Sequence, residues 1–352
     1  MPMTIEELDP LAAWEWSGEP IAGSVESHGL INETWGVAIE DEAVAVLQKL
    51  NTSIFDPVVH LDIEAITARL TLRGRVTPRL IRTRQGNLWH TDVEGGVWRC
   101  LTWVGDRTID QLSDPADAES AGHLVARFHA ALFDLDHSFH FERPGAHDTP
   151  AHMGAMQNAL VTHRNHRLRR KVQGLADQIW EQWGLWEGES HLPLRVIHGD
   201  LKISNLRFTG DTATSLIDLD TLQRGTLDAE LGDALRSWCN PSAEDDLEPR
   251  FDLGLFEAAM RGYVAGARGL PLTKAEWASI VPGVERITLE LASRFVRDAL
   301  EERYFGWNPA YGTPGEHNLV RAQAMTELAA SVHEVAGEAE AILRRIRDEQ
   351  AG

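Results

Sequence analysis

The chain has 352 residues, 43% hydrophobic and 25% charged, the proportions of a globular protein rather than a disordered one. Its 33 Lys and Arg against 54 Asp and Glu leave a net charge of −21, which repels phosphate backbones and anionic headgroups and speaks against nucleic-acid and membrane partners. No apolar run is long enough to span a bilayer, the acidic start MPMTIEELDP lacks a signal-peptide pattern, and Cys100 and Cys239 form no CxxC motif, so a cytoplasmic protein with two reduced thiols is expected.

The first third reads as sheet. Residues 35–39 and 43–48 flank Glu40-Asp41-Glu42 and predict a hairpin. A helix is expected over 57–73, then strand-like pieces at 79–84, 88–93 and 97–104. The turns between these pieces, Gln85-Gly86-Asn87 and Glu94-Gly95-Gly96, carry the glycine that a positive φ favours. Beyond residue 105 the apolar spacing becomes helical, with Leu124, Val125, Phe128 and Leu132 on one face of 118–132. Helical patterns recur over 151–187, 228–239, 252–268, 273–304 and 316–348. The exception is 194–220: an apolar strand, a polar loop, and a hairpin of 206–208 with 215–217 around Thr209-Gly210-Asp211. This order predicts an α+β fold of two lobes, β-rich over 1–103 and mainly helical over 104–352.

Phosphoryl transfer needs a base to orient a hydroxyl, a divalent metal held by carboxylate and amide oxygens, and cations on the phosphates. One stretch offers these together. Asp200 opens the polar loop in His198-Gly199-Asp200-Leu201-Lys202-Ile203-Ser204-Asn205, and Asn205 follows five residues later, the H-x-D-x-x-x-x-N spacing of a kinase catalytic loop. Asp218 on the far arm of the hairpin can meet Asn205 across a metal, and Lys202 can reach the transferring phosphoryl group. His198 is expected to brace the loop rather than move a proton, and Asp233 to anchor it.

The chain resembles the aminoglycoside phosphotransferase and choline kinase group, which has the protein-kinase-like fold, and within it looks most like the N-acetylhexosamine 1-kinases. The matching pieces include Ile31-Asn32-Glu33-Thr34-Trp35, Val46-Leu47-Gln48-Lys49-Leu50-Asn51, Trp98-Arg99, His147-Asp148-Thr149-Pro150, Leu216-Ile217-Asp218-Leu219-Asp220 and Leu231-Gly232-Asp233. The resemblance implies ATP as co-substrate with Mg²⁺, Asp200 as base, and Asn205 with Asp218 as metal ligands. It implies transfer to the anomeric hydroxyl of an amino sugar contacted by Arg294 and Tyr304. On the nucleotide side it points to Asn32, to Gln48 or Lys49, and to a lobe-connecting hinge at Trp103 and Val104. Gly199 and Leu30 depart from the hexosamine kinases, which place an asparagine and a histidine there.

Several alternatives stand beside these readings. The usual N-lobe lysine falls at Gln48, while strand alternation puts Lys49 on the opposite face; Gln48, Lys49 or another cation then serves the phosphates. Gly23-Ser24-Val25-Glu26-Ser27-His28-Gly29 reads equally as a phosphate flap or an ordinary loop. Arg294 is read equally as a sugar contact or as the partner of Glu290, four residues earlier. Trp180, Trp183 and Trp186 are expected to pack, and His147 with Asp148 to serve structure. His137 and His140 lack a visible third ligand, so no zinc site is expected. An aminoglycoside or amino-alcohol acceptor, or a nucleotide-binding pseudokinase, are the competing functions.

Overall fold

The computed structural model describes residues 9–24, 31–143, 145–189 and 191–351. Of the segment 23–29, read equally as a flap or an ordinary loop, Gly23 and Ser24 end the first strand, and 25–29 with Leu30 lie outside the described residues. In chain order the strands are β1 (Ile21–Ser24), β2 (Glu33–Ile39), β3 (Glu42–Lys49), β4 (Leu80–Ile81), β5 (His90–Thr91), β6 (Val97–Thr102), β7 (Arg107–Thr108), β8 (Arg195–Ile197), β9 (Leu206–Thr209), β10 (Thr212–Leu216) and β11 (Gln223–Gly225). The helices are α1 (Val59–Leu72), α2 (Pro115–Leu132), α3 (Thr149–Thr162), α4 (Arg169–Leu185), α5 (Leu227–Trp238), α6 (Leu253–Gly266), α7 (Lys274–Ala278), α8 (Ile280–Glu301) and α9 (Pro314–Ala351).

The first six strands form one antiparallel sheet in the order β1-β2-β3-β6-β4, with β5 also on β6. The β2–β3 hairpin turns at Glu40 and Asp41, both left-handed (φ 51° and 66°), the twist a two-residue turn demands even without glycine. Strand alternation buries Val37, Ala45 and Leu47 against Leu11, Trp14, Trp98 and Cys100, a small core belonging to the sheet. Helix α1 turns Val59, Ile63, Ile66 and Leu70 the other way, into the large core of the helical lobe. The architecture is thus the expected one: a β-rich region followed by a mainly helical one.

The pieces expected at 79–84 and 88–93 shrink to two residues each, because side chains claim the backbone donors that a ladder would use. Thr83 Oγ1 takes the Asn87 N–H at 3.1 Å, and Asp92 Oδ1 takes those of Glu94 and Gly96 at 2.9 and 2.7 Å. The helix expected over 151–187 is broken between α3 and α4, where the Arg169 side chain captures the Leu160 carbonyl that a continuing helix would use. The helix expected over 273–304 splits at Ser279. Thr273 caps α7 in a reciprocal box with Glu276, and the chain restarts as α8.

Two small sheets frame the polar loop. β8 pairs with β11, with Ile197 opposite Gln223, while the β9–β10 hairpin takes β7 as its third strand. No helix among the described residues is long and apolar enough to cross a membrane.

Candidate active site

The loop after β8 is held from below by α5, whose buried acids point up at its backbone. Glu230 accepts the N–H groups of His198 (2.8 Å) and Gly199 (2.9 Å), and Asp233 accepts that of Leu201 (3.0 Å). Trp238 Nε1 donates to the Leu201 carbonyl at 2.8 Å. Burial works to raise the Glu230 pKa, but His129 at 3.1 Å and the loop N–H groups hold it below the ordinary glutamate value. His198 meets the Ile217 carbonyl at 2.9 Å, tying the loop to the strand that delivers Asp218. Asp233 and His198 therefore brace the loop. Gly199 turns through φ +79°, and a Cβ there would lie 2.6 Å from the Thr221 carbonyl oxygen, so this corner excludes side chains unless the backbone moves.

Held this way, the loop presents a compact polar group. Asp200 Oδ2 accepts from Lys202 Nζ and from Asn205 Nδ2, each at 3.0 Å, and Asn205 Nδ2 also donates to the Asp200 carbonyl at 2.8 Å. With its amide nitrogen committed, Asn205 keeps a side-chain oxygen that no donor among the described residues reaches. Burial alone would raise the Asp200 pKa; Lys202, His198 and Asn205 overcome it and hold the carboxylate ionised. Burial lowers and the neighbouring carboxylates Asp200 and Asp218 raise the Lys202 pKa, and the carboxylates win.

Asp218 differs. Burial, together with the negative charge of Asp220 and Asp200, pushes its carboxyl above the ordinary aspartate range. No hydrogen-bond donor among the described residues reaches it. Its backbone is left-handed (φ 61°, ψ 57°), a conformation that costs a non-glycine residue of the order of 1–3 kcal/mol and persists where surroundings enforce it. A strained, donor-free carboxylate crowded by two others, beside a spare amide oxygen, is the environment that a divalent cation relieves. These residues fit Mg²⁺, a hard cation that takes oxygen ligands.

The N-terminal side carries a cation the motif reading left unassigned. Arg99, opposite Gln48 in the β3–β6 pair, is 1% exposed and clasps Asp220, itself fully buried, with one of the two contacts at 2.7 Å. Gln48 Oε1 accepts from Arg99 Nε at 2.8 Å, and Gln48 Nε2 donates to Thr34 at 3.1 Å. Asn32 Nδ2 donates to Asp220 at 2.7 Å, and Asn32 Oδ1 accepts the Asn51 N–H at 2.9 Å. Both side chains are thus committed to a network joining the sheet to the segment behind Asp218. Burial and the Arg99 charge drive the nearby His60 pKa down to about 4. Lys49 takes the opposite face, over the Trp98 ring at 5.5 Å, and does not join the Arg99 network.

At the expected hinge, the Trp103 N–H donates to the Val44 carbonyl at 3.1 Å, while Arg207 donates to the Val104 and Gly105 carbonyls at 3.0 Å each. The Trp103 indole N–H bonds Gly105, and Arg207 lies 5.1 Å above its ring.

On the far side, Arg294 pairs with Tyr304, not with Glu290: its Nη2 lies 3.3 Å from the Tyr304 hydroxyl. Glu290 is occupied by Thr149 (2.7 Å) and His147 (3.2 Å). Burial lowers and Glu290 raises the His147 pKa, with Glu290 prevailing. Asp148 caps α3 through the Ala151 N–H at 3.0 Å. Trp180 and Trp183 pack against the large core, and Trp183 stacks on Trp186.

Sequence separation hid one cluster entirely. Asp62 of α1 stands 2.8 Å from His137 Nε2 and 3.1 Å from His140 Nδ1, supplying the third polar group that the histidine spacing lacked. Its oxygens also accept the N–H groups of His140 and Phe141, which makes the trio a satisfied brace between α1 and the segment after α2. Glu230, Arg99 and Asp220 also went unassigned a role in the sequence. Two acids spaced i, i+3 on the amphipathic α5 are the only local signal for the first.

A kinase-like fold, with a β-sheet region ahead of a helical one and a polar loop at their junction, is the class that this arrangement defines. The chain belongs to the phosphotransferase enzyme family, whose model matches residues 27–267. Solved structures agree on the fold. An aminoglycoside phosphotransferase from Alicyclobacillus acidocaldarius superposes with a TM-score of 0.62 at 16% identity, covering 94% of this chain and 96% of that one. A microcompartment-associated aminopropanol kinase gives 0.59 at 16%, covering 94% and 97%. An amicoumacin kinase in complex with AMP-PNP, Ca²⁺ and Ami gives 0.60 at 11%, covering 93% and 96%.

Proposed function

We propose that this phosphotransferase moves the γ-phosphoryl group of ATP to a hydroxyl of a small acceptor, with Asp200 as base. The observation that carries the reading is the junction of Asp200, Lys202, Asn205 and Asp218 on one braced loop and hairpin. Asp200, ionised and fixed by two donors, accepts the acceptor's proton as its oxygen attacks. Asn205 and Asp218 would hold Mg²⁺, which when bound offsets charge on the phosphates. Lys202 brings a cation beside the base, and the hinge at Trp103 and Val104 would border the base of the nucleotide. A complex of the amicoumacin kinase with AMP-PNP and Ca²⁺ supports the nucleotide and the metal by likeness of fold.

For the acceptor, the sequence resemblance favours an N-acetylhexosamine phosphorylated at its anomeric hydroxyl, with Arg294 and Tyr304 as contacts. The likeness to an aminopropanol kinase and an aminoglycoside phosphotransferase supports amino alcohols or aminoglycosides equally. Incubation with ATP, Mg²⁺ and each acceptor class, with NMR of the product, separates them. An anomeric phosphate is lost on mild acid treatment, whereas a phosphate on an ordinary alcohol persists. Absence of turnover with every class would leave a nucleotide-binding protein without catalysis.

A further inference from the structure

We propose that the acceptor carries a negatively charged group, of carboxylate type, received between Arg143 and Arg294. This deepens the function proposed above and rests on it.

Arg143 lies between α2 and α3, and Arg294 lies on α8, yet both guanidinium groups converge on one hydroxyl. Their Nη2 atoms stand 3.5 and 3.3 Å from Tyr304 Oη. Neither has a carboxylate within ion-pairing distance among the described residues, in a chain with 54 acidic side chains. Glu290, the acid nearest in sequence to Arg294, is taken by His147 and Thr149.

Elsewhere this protein settles the same encounter differently. Arg69 and Arg73 share Asp134, Arg79 and Arg82 share Glu64, and Arg261 and Arg345 share Glu257. In these three pairs a carboxylate stands between the arginines. At Tyr304 the place of that carboxylate is filled by a neutral phenol, and two like charges face each other across it. An anion arriving there removes the repulsion and gains two charge-assisted donors.

The cations are also aimed rather than loose. Arg143 lies over the Phe55 ring at 5.7 Å, and Arg294 over Tyr304 and Phe305 at 5.6 and 5.5 Å. Partial burial would raise the Tyr304 pKa, but the two arginines pull it below the ordinary tyrosine value, as a site of positive potential does. The cluster is tied to the loop through packing: Arg294 lies one turn past Glu290 on α8, α8 packs against α5, and Asp233 of α5 holds the Leu201 N–H beside Asp200. Cationic aminoglycosides and amino alcohols would meet repulsion here. An acidic sugar or hydroxy acid would not.

The test uses the full chain with Mg²⁺ and ATP on matched acceptors that differ in charge: N-acetylglucosamine with N-acetylmuramic acid, galactose with galacturonic acid, and an aminoglycoside as the cationic arm. The acidic member of at least one pair should show a kcat/KM ten or more times that of its neutral partner. Arg143→Gln and Arg294→Gln should shrink that ratio towards one through KM, and Arg143→Lys should restore part of it. Unchanged thermal melting of the variants keeps a folding defect from mimicking this result. A preference for the neutral or cationic acceptor, or a ratio untouched by the substitutions, overturns the inference and leaves phosphotransfer standing. A chain that turns over no acceptor of any charge removes both.

Discussion

The loop carrying Asp200 and the strand carrying Gln48, both read from the sequence as phosphate-handling segments, are built on different plans. The loop is short-range: Asp200, Lys202, Asn205 and Asp218 fall within residues 200–218, and two acids of α5 hold its backbone from beneath. The strand is long-range. Gln48 is spent on holding Arg99, Arg99 on holding Asp220, and Asn32 completes the circuit. One region concentrates chemistry; the other spends its polar side chains on stitching sheet to helical lobe. The cation beside Gln48 is Arg99, and by clasping Asp220, two residues past Asp218, it acts on protein rather than on open space.

Breaking the loop should give the largest effect. Asp200→Asn keeps the shape and removes the proton acceptor, so kcat should fall about 10²–10⁴-fold with nucleotide affinity little changed; steady-state rates beside nucleotide titration check this, and near-normal turnover would take Asp200 out of its role.

Breaking the stitch should cost stability. Arg99→Met leaves Asp220 buried without its partner, and loss of one member of a buried pair typically costs about 3–5 kcal/mol. Denaturant unfolding reads that number directly. A change under about 1 kcal/mol would mean that the pair is solvated or dispensable.

A smaller effect is expected at the His147–Glu290 pair. Glu290 holds the His147 pKa above its ordinary 6.5, so the pair's contribution is full below that value and fades as pH rises through the raised pKa. Because the Glu290 pKa is depressed, the contribution also fades in acid, as pH falls through it. Glu290→Gln should therefore cost about 1.5–3 kcal/mol near pH 6, as for a hydrogen bond to a charged group. The gap from wild type should narrow as pH rises through the raised His147 pKa. A pH-independent gap would assign the loss to packing.

The smallest change belongs to Lys49→Ala. Lys49 lies over Trp98, away from the Arg99 network, so stability should move within about 0.5 kcal/mol and KM for ATP should hold. A large rise in that KM would bring Lys49 back as a phosphate contact.

This contrast also explains what was legible beforehand. The order of a sheet region and a helical region followed from local periodicity and turn residues, as did the polar loop, because each signal lies within a few residues. Element ends were less legible. The breaks near Leu160 and at Ser279 go with side chains capturing carbonyls, Arg169 that of Leu160 and Ser279 that of Glu276, which compete with periodicity. The Arg99–Asp220 clasp spans 121 residues and the Asp62–His137 contact 75, and no local pattern announces either. Strand alternation did place Gln48 and Lys49 on opposite faces. That Gln48 serves an arginine became visible only when β6 lay beside β3.

The central claim is that Asp218 and Asn205 meet a Mg²⁺-nucleotide beside Asp200. Isothermal titration of AMP-PNP into wild type and Asp218→Ala, each with and without Mg²⁺, tests it most directly. Wild-type binding should depend on Mg²⁺ and the variant should lose that dependence, with affinity falling to its metal-free level. Equal, Mg²⁺-enhanced binding in both proteins would contradict the account.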